Sequence, residues 1–397
     1  MEHHNADPNN YVMTKKLAVI FAIASGMAIG NLYWAQPLLA QITASFGVET
    51  SSGGLLITAT QVGYATGIFL IVPLGDLLPR KKLIVTVMML SVAALLLCAK
   101  SPGFEFLAFA LASLGLVTVS GQIFLPLAGD LSAENERGSI VGIVTAGITT
   151  GILIARVFSG FVANLWGWRS VYLIAAGMNL VMILVILKIV PDIPGKEKIS
   201  YGKLLAGVFR SFKKYPEMLL ILLQTTMAFG IAFNMFWTAL TFLLSGEPFG
   251  YSTLQIGLVS LTGIAGAAGG IGFGKLQDKG WGTPALGIFI VLEIVCLAAA
   301  IFAARSIVLI VAVTIVFSLA VQGVNILSQT RLFALSDTER SRLNTAYIVT
   351  IFIFCALGSA LASVFWNIGG WTAVMLCACG SCCVSLAGWA VQSKINR

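Results

Sequence analysis

Two ionisable side chains fall where the sequence surrounds them with apolar residues: Arg156, several turns into the run Ile140 to Ala163, and Glu293, inside Thr283 to Ala303. A guanidinium in such a place is costly and keeps its proton at physiological pH, so it needs a partner. That partner is a carbonyl, a carboxylate, or an anionic or hydroxyl-bearing group on a solute; a structural clamp between helices is the rival reading. Glu293 either carries a proton or is a structural or lipid-facing acid, and no histidine stands in for it, because His3 and His4 lie in the polar tail. Ser318, Gln322, Asn325 and Gln329 follow a 4, 3, 4 spacing that puts four polar groups on one helical face. Thr118 and Gln122 repeat the pattern in short form. Asn31 with Trp34, and Asn234 with Trp237, are three residues apart, so each pair shares a face suited to an amphipathic organic solute. Each polar group either lines a cavity or hydrogen-bonds a neighbouring helix, and Tyr33, Gln61 and Tyr64 carry the same two readings.

Other signals point away from chemistry. Gly269 to Lys275 resembles a phosphate loop, yet Leu276 takes the Ser/Thr position and no strand precedes it. Cys379-Gly380-Ser381-Cys382 has redox spacing but sits mid-run, where a small-residue packing face is the simpler reading. No cluster of histidines or carboxylates offers a metal or hydrolytic site. We expect no enzyme, no cofactor and no metal.

The elements that must position these residues are membrane spans. The 397 residues are 58% hydrophobic and 10% charged, against about a quarter charged in soluble domains. Runs long enough to cross a bilayer extend over Leu17 to Leu39, Gly53 to Leu74, Leu83 to Ala99, Phe104 to Leu127, Ile140 to Ala163 and Ser170 to Ile189. Six more cover Met218 to Leu244, Leu254 to Gly274, Thr283 to Ala303, Ile307 to Thr330, Asn344 to Trp366 and Trp371 to Val391. Alternating strands of a barrel are absent. Gly63, Gly67 and the glycines of the eighth run read as close-packing surfaces. The first run is as long as a span and follows a polar tail, so it is expected to remain as an anchor.

Lysine and arginine crowd the alternate loops, with Lys100, Arg169 and Arg305 on the other side, which predicts both termini inside the cell. The net charge of +8 follows from this bias and calls for no nucleic acid. Sliding the second half onto the first by about 203 residues aligns Asn31 with Asn234, Trp34 with Trp237, Gln122 with Asn325, Arg137 with Arg340, and Gly167-Trp168 with Gly370-Trp371. Asp76 meets Asp278 one residue short. Six spans separate the repeats, so the halves are parallel. The expected organisation is a tail at 1–16, a six-helix bundle at 17–190, a linker at 191–217, a second bundle at 218–392 and a tail at 393–397.

This pattern resembles the major facilitator superfamily over essentially the whole chain. The loop Gly75-Asp76-Leu77-Leu78-Pro79-Arg80-Lys81-Lys82 looks like the family's Gly-x-x-x-Asp-Arg-x-Gly-Arg-Arg signature, departing at Val72, Leu77 and Pro79. Gly274 to Lys279 matches its first half. The resemblance implies an all-α membrane fold of twelve helices in two pseudo-symmetric bundles, with Asp76, Arg80, Asp278 and Lys279 as a conformational latch in which a carboxylate caps a helix of the opposite half. The segments Gly30 to Leu39 and Ala155 to Gly160 look like the bacterial drug and sugar efflux branch. Arg156 and Ser159, however, replace the Pro and first paired Gly of its antiporter motif. The implied function is a monomeric secondary transporter of the bacterial inner membrane that exports a small amphipathic compound or sugar by alternating access, with or without protons. A solute-uptake symporter and a non-transporting sensor or scaffold are the alternatives. The solute is expected at Asn31, Trp34, Gln122, Arg156, Asn234, Trp237, Gln322 and Asn325, between the halves.

Overall fold

The computed structural model describes residues 13–133, 136–190, 200–266, 273, 276, 280–336 and 339–395. Those residues form helices and connections, with no strand among them. In chain order the α-helices are α1 (Lys15–Gly30), α2 (Leu39–Phe46), α3 (Gly53–Leu70), α4 (Leu74–Leu77), α5 (Arg80–Ala99), α6 (Phe104–Val117), α7 (Ser120–Asp130), α8 (Arg137–Trp166) and α9 (Trp168–Ile189). They continue as α10 (Tyr201–Lys214), α11 (Glu217–Thr225), α12 (Phe233–Ser245), α13 (Thr253–Val259), α14 (Gly282–Ala303), α15 (Ile307–Phe333) and α16 (Arg340–Ile395).

Nine helical stretches among the described residues are long and apolar enough to cross a membrane. Several expected spans differ from that plain form for local reasons. The first run is interrupted: α1 ends at Gly30, a turn carries Asn31 to Ala35, and Pro37 lies in a 3-10 turn over Gln36–Leu38 before α2 resumes. The last stretch, Arg342–Lys394, has 53 residues, about 80 Å of helix against a hydrocarbon core of about 30 Å. It breaks at Gly369 and Gly370, where the backbone leaves the helical region. The expected eighth run is described only to Gly266 and at Phe273. The expected linker contains a helix, α10, whose Leu204, Gly207, Val208 and Ser211 are buried while Phe209 and its basic residues face outward.

The Gly-Trp pair of the repeat has a physical basis. Gly167 and Gly370 have φ of +79° and +60°, which a side chain would resist. The tryptophan after each begins a new helical segment and ties it to a neighbour: the indole N–H of Trp168 donates to Ser45 Oγ at 3.1 Å, and that of Trp371 to the Ala300 carbonyl at 2.8 Å.

Apolar side chains between Met13 and Val190 pack into one core, which Phe242 joins from the other half; those between Ala228 and Cys382 pack into a second. A smaller cluster links α10 and α11 to the first part of α16. Close approach depends on missing side chains. A Cβ on Gly26 would stand 2.6 Å from the Gly147 carbonyl oxygen, so α1 and α8 meet backbone to backbone. Gly63 and Gly67 let α3 approach the carbonyls of Ala112 and Leu116 in the same way.

Candidate solute-binding site

Two irregularities bring the site together. In the first half the chain leaves α-helix at Asn31, and beside it α6 stops at Val117, with Thr118 and Val119 joining it to α7. Asn31 spans the two breaks. Its amide donates to Thr118 Oγ1 at 2.8 Å and its oxygen accepts from the Trp34 indole at 2.8 Å, while Thr118 donates to the Ala28 carbonyl. In the second half, residues Thr226–Ala232 form a π-helical segment between α11 and α12, a widening that is common at functional positions. It stacks Phe229 on Phe233 with ring centroids 5.2 Å apart, and one more step along this face lies Trp237.

Arg156 of α8 meets that aromatic face across the interface. Its guanidinium carbon lies 4.3 Å from the Trp237 ring and 5.0 Å from the Tyr33 ring. The side chain is 2% exposed and its Nε has no hydrogen-bond partner. Among the described residues no carboxylate forms an ion pair with it. Cation–π contacts supply about 0.5–2 kcal/mol each, whereas burying an ion costs several kcal/mol, so two rings leave the charge under-compensated. Arg156, Tyr33, Thr149, Phe229, Trp237 and Gln322 line a cavity of about 100 Å³, with Ser318 and Phe233 also on its wall.

The residues singled out by sequence divide between this cavity and packing. Arg156, Trp237 and Gln322 line it. Asn31 and Trp34 do not; they hold the broken first run against α6 and α7, and the Trp34 ring leans on Phe158. Asn234 bridges the halves by accepting from Gln61 Nε2 at 2.7 Å and donating to the Gly230 carbonyl. Gln122 donates to the Tyr64 hydroxyl at 3.1 Å. It lines a separate cavity of about 350 Å³ at the end of the molecule that carries Asp76. Along α15 the polar stripe splits: Ser318 and Gln322 face the Arg156 cavity, while Asn325 accepts from the Tyr347 hydroxyl at 3.0 Å and Gln329 donates to Asn344. Glu293 is fully buried inside the second half, where the Cys382 thiol donates to one carboxyl oxygen and the other has no partner. It lines neither cavity.

Sequence reading passed over Phe229 and Phe233. Their signal was present in the run Phe229, Phe233, Trp237, spaced four apart, but aromatics in a membrane span read as ordinary packing until a charge is found opposite them.

Charged networks frame the larger cavity. Arg80 donates to Asp130 at 2.6 Å and pairs with Asp76 at 3.4 Å, and Arg137 approaches Asp130 at 3.6 Å. The Asp76 partner Arg80 belongs to its own half, and among the described residues no ion pair carries Asp76 across the interface. Asp278 and Lys279 lie outside the described residues. On the facing side Lys214 pairs with Glu339 at 3.1 Å, and Arg342 approaches the same carboxylate at 3.8 Å. The Lys214 and Tyr215 hydrogen bonds hold the Glu339 carboxyl below the usual carboxylate range, and Glu339 in turn holds the Lys214 ammonium above its usual range.

At the opposite end the halves touch. Thr58 Oγ1 and Ser359 Oγ are 2.9 Å apart, and Thr253 Oγ1 donates to the Gly160 carbonyl at 3.0 Å. A Cβ on Gly257 would lie 2.8 Å from the Arg156 carbonyl oxygen, so α13 sits directly on α8 beside the site.

Residues 21–334 match the family described as the Major Facilitator Superfamily. A protein of Escherichia coli O157:H7 called uncharacterized transporter YgaY is 35% identical over 380 residues, covering 96% of each chain. The probable transporter SCO4007 of Streptomyces coelicolor is 30% identical, covering 94% of this chain and 84% of its own. Among solved structures the nucleoside transporter NupG superposes with a TM-score of 0.73 at 18% identity, covering 94% of this chain and 99% of its own.

Proposed function

The chain belongs to the major facilitator superfamily, and from that membership we propose a secondary transporter that moves a small organic solute by alternating access through the Arg156 cavity. It is a multi-pass membrane protein and a transporter, as its relatives are, rather than an enzyme. The proposal assigns it twelve spans in two parallel bundles, residues 17–190 and 218–392, in a bacterial inner membrane with both termini inside; the loop distribution of lysine and arginine supports that orientation.

One observation carries the reading: a buried guanidinium of one half faces an aromatic stripe of the other, at an interface that is closed at one end and hollow at the other. A binding site between two bodies that part alternately at either end is what such transport requires. Arg156, Trp237, Gln322, Tyr33, Phe229 and Phe233 hold the solute. Asn31, Trp34 and Asn234 act on it indirectly, by fixing the backbone breaks beside it. Asp76 and Arg80, with Asp278 and Lys279, form the latch of the charged end. Export is the proposed direction, on the likeness of Gly30 to Leu39 to the efflux branch.

Purified protein in liposomes, loaded with or exposed to a panel of organic acids, sugars and neutral amphiphiles, tests the function. Saturable movement of a panel member is expected, and measuring lumenal pH in both directions shows whether protons accompany it. If no member of a broad panel crosses faster than in empty liposomes, the transport reading falls and the non-transporting scaffold gains.

A further inference from the structure

The donor inventory of the Arg156 cavity narrows the solute, given the transport reading above. Of the polar atoms on its lining residues, Arg156 Nε, Trp237 Nε1 and Ser318 Oγ are buried without a hydrogen-bond partner. Two are obligate donors and the third is able to donate. Among the described residues the lining holds no aspartate or glutamate. The site therefore has a full positive charge and spare donors, and lacks a counter-charge. Apart from Thr149 and Gln322, the rest of its wall is mostly aromatic or aliphatic: Tyr33, Ile152, Leu153, Phe229, Phe233 and the Trp237 face.

Three solute classes meet this wall differently. A cation is repelled by Arg156 at short range with no carboxylate to offset it. A sugar could pair hydroxyls with Thr149, Ser318, Gln322 and the Tyr33 hydroxyl, but it is neutral and leaves the buried Arg156 charge without a counter-charge. A carboxylate accepts and does not donate, matches a guanidinium with two oxygens, and carries the missing charge. We propose that the transported solute is an organic monoanion, a carboxylate on a flat aromatic body, with its acid group on Arg156 and its ring among Phe229, Phe233 and Trp237. One unpaired cation fixes the charge at one. The stacked pair Phe229 and Phe233, whose planes differ by 5°, favours a flat body over a branched one. The cavity of about 100 Å³ is smaller than the 150 Å³ or so that encloses a benzene ring, so seating the whole solute requires the halves to shift.

The test is calorimetric titration of the purified full-length protein with benzoate, phenylacetate and 2-naphthoate, each against its neutral amide, and with benzylammonium and glucose. At least one acid is expected to bind about ten- to a hundredfold more tightly than its amide, with no heat from benzylammonium or glucose. Arg156→Gln is expected to abolish the preference of acid over amide, and Arg156→Lys to keep part of it, since the charge remains and the planar fork is lost. The comparison of acid with amide in the unaltered protein stands even if Arg156→Gln fails to fold. If no acid outbinds its amide, or if Arg156→Gln binds the acid as the native protein does, the assignment is wrong. Failure here is separable from failure of the transport reading. Acid-selective binding without flux in liposomes would sink transport alone, while flux of a neutral solute that ignores Arg156→Gln would sink the anion assignment alone.

Discussion

Asn31 and Asn234 occupy equivalent places in the repeat and do different work. The first ties its own half together through Thr118 and Trp34; the second reaches across to Gln61. Sequence spacing identified both amides as buried and polar, which they are, but spacing is blind to whether the partner lies on the same half or the other. Arg156 was legible because a guanidinium in an apolar run is rare and expensive. Trp237 and Tyr33 stood out by type and place, but not as its partners, because nothing in the sequence says which rings face a charge. Glu293 shows the converse. A carboxylate in a span invites a role in proton coupling, yet it is enclosed in the second half with Cys382 and borders neither cavity. Glutamine keeps its shape and its acceptor oxygen, so Glu293→Gln is expected to transport within about twofold of the native rate with the native dependence on pH. A flattened pH profile in proteoliposomes would instead make Glu293 the proton carrier.

At the scale of elements, sequence periodicity located the spans better than their interruptions. The breaks at Asn31 and Thr118 are bonded to each other, and the π segment at Thr226–Ala232 packs on Gly358 and Phe354 of α16, tertiary contacts that hydropathy does not encode. The helix α10 inside the expected linker was likewise masked by the charges that flag a loop, although its apolar residues keep helical spacing. It is strapped to both halves. The Tyr201 hydroxyl donates to the Leu70 carbonyl at 2.6 Å, Phe209 packs on Phe69, and Lys214 pairs with Glu339. Because the lowered carboxyl of Glu339 contributes stability that is present above its ordinary value of about 4.3 and is lost as pH falls through the lowered one, the anchor is at full strength near neutrality. Glu339→Gln is expected to melt below the native protein at pH 7 and together with it in acid. A gap that persists unchanged to pH 3 would mean that Glu339 acts by packing rather than charge. Asp76, itself 40% exposed, shares the buried Arg80 with Asp130, and a partly exposed pair with a divided partner is worth about 0.2–1 kcal/mol. Asp76→Asn is accordingly expected to slow flux by roughly two- to fivefold at equal membrane abundance. Native flux in that variant would dispose of the latch.

For the whole molecule, the duplicated landmarks acquire a mechanical sense. Gly167 and Gly370 turn the chain at matching points, each followed by a tryptophan that anchors the next helix. Each half has its own apolar core, and among the described residues polar bonds join the halves at one end: Thr58 with Ser359, Gln61 with Asn234, and Thr253 with Gly160. Two bodies whose cores meet at a limited apolar contact, Phe242 and Phe352 on the first core, can rock without unfolding. On the proposed alternating access, this polar seam must open for solute to cross. Thr58→Cys with Ser359→Cys replaces hydroxyls 2.9 Å apart and permits a disulfide across the closed end. In proteoliposomes, flux of the panel solute that the native protein carries is expected to stop when this pair is oxidised and to return on reduction, while oxidant leaves the single-cysteine variants unaffected. Native flux through the fully cross-linked protein would contradict alternating access through the Arg156 cavity.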